Sequence, residues 1–156
     1  MEEFTDKQQH RFVNVEFWYP KNGNSTYPLL VFSHGAYGIK DSNSSTYSEL
    51  ASHGYVVVSI DHPYHSFFTR SEDGTLTMVN SVFRHEVENM NKGVYSNEEL
   101  YNIIQKWMKL RVDDMNFVID TILEKTKMTI LPFINISIQR KLVCSVTQWE
   151  APQAFG

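Results

Sequence analysis

Residues 28–66 read PLLVFSHGAYGIKDSNSSTYSELASHGYVVVSIDHPYHS, and this stretch decides the fold. An apolar run, Leu29 to Phe32, breaks at once into Ser33-His34-Gly35-Ala36-Tyr37-Gly38. A polar loop and a short helical stretch, Thr46 to Ser52, come next and end at Gly54. Tyr47 and Leu50-Ala51 are the helix's apolar contacts, and the glycine stands where a helix takes a left-handed residue. A second apolar run, Tyr55 to Ile60, is rich in β-branched residues and stops at Asp61-His62-Pro63. Two such runs, bounded by turn residues and joined through a helix, predict strand–helix–strand with both strands buried in a parallel sheet. A sheet of that kind offers ligands the carboxyl ends of its strands, where HGAYG and DHPYHS both lie.

The flanks extend this unit. Arg11 to Tyr19, RFVNVEFWY, alternates with Val13, Val15 and Phe17 on one side, predicting a strand with one wetter face. The residues before it are polar and acidic and carry no strand signal. From Phe67 to Tyr95 the periodicity lapses around a Glu72-Asp73-Gly74 turn, as in a surface excursion. Ser96-Asn97-Glu98-Glu99 then has the form of a capping box, in which serine and glutamate satisfy each other's end of the first turn. Leu100, Ile103, Ile104, Trp107, Leu110, Phe117, Val118 and Ile122 recur at helical spacing down to Lys125. Arg111 and Asp114 sit in that stripe three residues apart, which predicts a supporting ion pair on one helix face.

FSHGAYG after one strand, with ELASHGYVVVSIDH leading through the next, resembles the α/β-hydrolase superfamily. Within it the resemblance is to platelet-activating-factor acetylhydrolase and dienelactone-hydrolase-like esterases, over roughly Arg11 to Lys125. It implies an N-terminal half of a mostly parallel α/β-hydrolase sheet with flanking helices. The Arg11 strand would be the family's second, with no first strand visible before it. The resemblance also implies that Ala36 offers its backbone N–H to an oxyanion hole, with Gly35 letting the chain approach the substrate. His34, Asp61 and His62 then support the loops, and Arg111 with Asp114 is structural. The relatives it points to are serine ester hydrolases acting on ester or lipid-like small molecules without a cofactor.

The chemistry such an enzyme needs is missing. No G-x-S-x-G occurs, and no strand-to-helix elbow comes after the long helix. The chain continues instead as MTILPFINISIQRKLVCSVTQWEAPQAFG, which matches no element. Residues 1–125 therefore read as a partial hydrolase domain and 126–156 as an irregular tail. In a shifted reading frame, Ile138 to Pro152 is compatible with TEKIGLFGHSMGGAT, a buried strand running into an elbow. A frameshift would account for the tail. The expected product is a truncated, inactive fragment whose Leu29 strand forms an uncovered edge, open to self-association or to a partner's strand.

Composition excludes other classes. The chain has 156 residues, 42% hydrophobic, with a net charge of −4, so it is one globular domain without a nucleic-acid footprint. It is short for a complete α/β-hydrolase, which needs about eight strands and upwards of about 200 residues. A single cysteine, Cys144, precludes an internal disulfide. No leader or membrane span is visible, which points to the cytoplasm. His62 and His65 could hold a metal as a small hydrolase's centre, but Pro63 between them prevents helical ligand spacing. Ser33, Ser66 and Cys144 are the remaining nucleophile types near strand ends or tail, and none occupies an elbow.

Overall fold

A computed structural model describes residues 2–6, 11–21, 26–127 and 137–146, the last segment as backbone. The runs of β-branched residues form strands as expected. β2 is Arg11–Trp18, β3 Thr26–Ser33 and β4 Val56–Asp61. β4 lies between the other two, parallel to β3 with Val31 opposite Val58, and antiparallel to β2 with Val15 opposite Ile60. Every residue of β4 is buried, as a strand covered on both faces requires. Helix α1, Ser44–Ser52, connects β3 to β4, and Gly54 succeeds it at φ +88°.

Two further strands revise the expectations. β1, Glu2–Asp6, pairs antiparallel with β2 in the segment that carries no strand signal. A single inward Phe4 in a polar quintet makes no period, so pairing with β2 rather than local pattern supports it. β7, Ser137–Val146, lies in the tail and runs parallel to β3. The Leu29 strand is therefore interior rather than an open edge, because β7 takes up its backbone hydrogen bonds. The order is β1-β2-β4-β3-β7, with two antiparallel and two parallel ladders, so the sheet is mixed and not mostly parallel. The rest of the tail, the shifted-frame elbow residues beyond Val146 included, lies outside the described residues.

The core obeys strand alternation. Val13, Val15, Leu29, Val31, Val56, Val58 and Ile60 meet Met115, Val118, Ile119 and Ile122 of helix α3, Asn97–Lys127. The capping box at the start of α3 is formed: Ser96 N–H and Oγ donate to Glu99 Oε2 at 2.9 and 2.7 Å. On the sheet's other face α1 sets Tyr47 against Trp18 and Phe32, with ring centroids 4.7 and 4.9 Å apart. The excursion before α3 is more ordered than its lost periodicity suggests. β5, Phe68–Arg70, and β6, Leu76–Met78, form a ribbon, and helix α2 spans Ser81–Asn91. Asn80 caps α2 by accepting from Val82 N–H at 2.7 Å. Phe83, Val87 and Met90 then pack with Trp107 in a second apolar cluster, to which Ala36 and Tyr37 contribute.

Candidate active site

The loops after β3 and β4 lie side by side at the carboxyl ends of the two central strands. A parallel bridge joins Tyr37 to Ser66. His62 N–H donates to His34 Nε2 at 3.3 Å, and His34 Nε2 lies 2.7 Å from Ser66 Oγ. Tyr37 and Tyr64 have φ of 60° and 69°, a region disfavoured for bulky residues that persists where the surroundings over-determine it. Gly38 closes the first loop through its N–H to Gly35 O at 3.2 Å. A Cβ there would stand 2.7 Å from His34 Cβ, so the close approach requires glycine.

Side chains from distant elements clamp both loops. Arg111 of α3 donates through Nη1 to His34 O and through Nη2 to Gly35 O, the latter at 3.4 Å. Arg11 of β2 donates to Pro63 O at 3.0 Å and to Asp114 Oδ2 at 3.1 Å. His62 Nδ1 also meets Asp114 Oδ2, at 2.8 Å, and His62 Nε2 lies 2.7 Å from Ser33 Oγ. The i,i+3 spacing predicts that Arg111 and Asp114 serve each other. Both are buried on the inner face of α3, where Arg111 holds the His34-Gly35 carbonyls and Asp114 takes Arg11 and His62. The two also attract across that face.

These contacts assign the tautomers. Gly35 O only accepts, so His34 Nδ1, 2.6 Å away, carries the proton and its Nε2 accepts. Asp114 Oδ2 already accepts from Arg11, so His62 donates from Nδ1 and its Nε2 accepts the Ser33 hydroxyl. Burial keeps both rings neutral: His34 is lowered to about 3, with His62 and Arg111 adding to the effect. His62 is held well below its ordinary value by burial and then by Arg111 and Arg11. Burial pushes the Asp114 carboxyl up to about 7, against the pull of Arg11 and Arg111.

Ser33, His62 and Asp114 thus share the connectivity of a hydrolytic serine–histidine–aspartate relay. Access separates them from one. Ser33 is 3% exposed and His62 0%, and Ser33 ends a regular strand instead of projecting from a strained turn. The sequence does not bring the three together, because they lie 29 and 52 residues apart. His65 does not join His62 at a common point. Its ring stacks on Phe83 at 4.1 Å, while both His62 nitrogens are engaged. No three His, Cys, Asp or Glu side chains converge on a metal-sized site among the described residues. Asp61 accepts the Lys40 N–H through Oδ1 at 2.5 Å and so ties the first loop to the end of β4. The Cys144 side chain lies outside the described set. In the first loop the Ala36 amide, like that of Gly35, has no hydrogen-bond acceptor among the described residues.

The sequence matches the platelet-activating factor acetylhydrolase isoform II family over residues 7–126. With most of its length matched, the chain belongs to that family. Among curated proteins no match was found. A solved structure of a ferulic acid esterase from Streptomyces cinnamoneus is similar at 23% identity and a TM-score of 0.37. That similarity covers 46% of this chain, which spans only 23% of the esterase.

Proposed function

We propose that the chain is the N-terminal part of a serine ester hydrolase with the α/β-hydrolase fold. In it, Gly35 and Ala36 supply one side of an oxyanion hole, and the chain by itself is inactive. One observation carries this reading: the Ala36 N–H is unengaged within a loop that Arg111, Asp61 and Gly38 hold in a single shape. A donor held in advance where negative charge develops is what acyl transfer requires. Such a donor acts only after a nucleophile has attacked, and the buried Ser33 is out of a substrate's reach. Even an esterase stripped of its triad retains about 10³–10⁴-fold over water only with both oxyanion donors and a formed pocket.

In the complete protein the substrate is an ester or lipid-like small molecule, no cofactor takes part, and the setting is the cytoplasm. No helix among the described residues is long and apolar enough to cross a membrane. The chain is expected to leave p-nitrophenyl esters at background and a fluorophosphonate probe unreacted. Labelling mapped to Ser33, Ser66 or Cys144 would place the active site elsewhere and refute the oxyanion reading. Restoring the shifted frame near codons 126–137 tests the truncation. An elbow serine that takes the probe supports it, and a frame without an elbow removes it. A second reading, a non-catalytic module that pairs with a partner's strand, is favoured by the ten-residue β7. That strand has no outer neighbour among the described residues.

A further inference from the structure

A cavity of about 270 Å³ opens beside the two loops. Ile39, Lys40 and Asp41 wall it from the loop after β3, Asp61 from the end of β4, and Phe68 and Arg70 from β5. Phe68 and Arg70 are exposed on the same face of the ribbon, with Thr69 buried between them. The charges around the cavity are not equivalent. The Lys40 ammonium is already held by Glu16 at 2.8 Å and Asp41 at 2.9 Å. Arg70 has no carboxylate partner among the described residues, and its chain is fixed by Asn14 Nδ2 donating to its backbone carbonyl at 2.7 Å. Asp61 is buried, with Oδ1 occupied by the Lys40 amide.

We propose that this cavity binds a small monocarboxylate, its carboxylate on the Arg70 guanidinium and its apolar tail between Ile39 and Phe68. The proposal stands apart from the oxyanion reading, since Ala36 does not line the cavity. A planar guanidinium takes a carboxylate through two parallel hydrogen bonds, and a single unpaired cation suits a single negative charge. A dianion such as phosphate would bring a second charge that Arg70 alone does not neutralise, beside the buried Asp61. An alkylammonium would meet Arg70, the lining cation that no carboxylate holds among the described residues.

The site also predicts coupling to protons. The groups facing Asp61 are Lys40 and Asp41 from the loop, Glu16 of β2, Arg70 of β5 and Tyr47 of α1. Burial is the main reason its carboxyl is pushed up to about 6, and Asp41 and Glu16 add to that against Lys40. A bound carboxylate adds a further negative charge, so binding favours protonated Asp61 and takes up a proton near pH 6. Affinity therefore rises as pH falls from 7.5 to 5.5, where a simple carboxylic acid is still ionised.

The test is titration of hexanoate into the intact chain, read from the amide resonances of Lys40 and Phe68, with hexylamine and inorganic phosphate as competing probes. Saturable hexanoate shifts are expected, weakened about tenfold by Arg70→Gln, the size of losing one charge-assisted pair. Asp61→Asn keeps the acceptor for the Lys40 amide and removes the charge. It is expected to tighten hexanoate at pH 7.5 and to abolish the pH dependence. Arg70 is exposed, so Arg70→Gln leaves the fold intact and keeps the test decisive. Tighter binding of hexylamine or phosphate, an unchanged Arg70→Gln affinity, or no saturable hexanoate shift would each overturn the proposal.

Discussion

Removing the Asp114 carboxylate tests whether the buried relay holds the two loops together. Asp114 is 1% exposed, takes Arg11 at 3.1 Å and His62 Nδ1–H at 2.8 Å, and stands beside Asp113 on the same helix. Asp114→Ala leaves the His62 donor without its acceptor and strips Arg11 of that carboxylate. Breaking a buried pair from one side costs about 3–5 kcal/mol. Asp113 pairs with Lys109 at 2.7 Å with its side chain 32% exposed, an i,i+4 surface pair worth about 0.3–0.5 kcal/mol. Urea unfolding measures both. With a slope of about 2 kcal/mol per molar, Asp114→Ala lowers the midpoint by about 1.5–2.5 M and Asp113→Ala by about 0.2 M. Asp114→Asn keeps an acceptor for both partners and loses only the charge, so it falls between them, at about 1–2 kcal/mol. It preserves the ranking even where the alanine variant, against a domain stability of about 5–15 kcal/mol, is largely unfolded. Equal midpoints for Asp113→Ala and Asp114→Ala would refute the relay as a structural tie.

Acid sensitivity offers a second check through His65. Burial, then Arg111, lowers its ring to about 3, so folding excludes a proton that the unfolded chain binds below about 6.5. The folded value is depressed, so this contribution is lost as pH falls through 6.5 toward 3. Over the interval from 6.5 to 5 the loss is about 2 kcal/mol, and His65→Phe, which keeps the stack on Phe83, should escape it. Parallel pH dependence of the two midpoints between pH 7 and 5 would contradict the assignment. Gly38→Ala places a methyl 2.7 Å from His34 Cβ, overpacking expected to destabilise by about 1–3 kcal/mol. Its thermal midpoint should fall while Gly93→Ala, whose added Cβ meets nothing within 4 Å, reports backbone strain alone. No difference between the two would show that the first loop yields.

Where the structural signal is local, the sequence already contains it. The strands from Arg11, Leu29 and Tyr55, the helix before Gly54 and the long helix after Ser96 all lie where the residues predict. A β-branched run between turn residues, a 3.6-residue apolar period and a capping box act within a few residues of themselves. The order of those three strands, with the Tyr55 strand between the other two, is set by the ladders and by no one segment. Helix α2 was legible in principle, since Asn80 precedes Phe83, Val87 and Met90 at helical spacing, but three apolar positions in a polar stretch are a weak period.

Only the tertiary structure decided the rest. β1 and β7 exist because β2 and β3 present free ladders to them, and neither is announced by its own residues. The relay is decided in the same way. Ser33, His62 and Asp114 are ordinary in sequence, and become one hydrogen-bonded chain when α3 packs across the ends of β3 and β4. Spacing could say that Arg111 and Asp114 share a helix face. It could not say that the carbonyls of His34 and Gly35 and the ring of His62 would be waiting there. A buried polar group must find a partner, and which partner lies within 3 Å is set by packing between elements far apart in the chain.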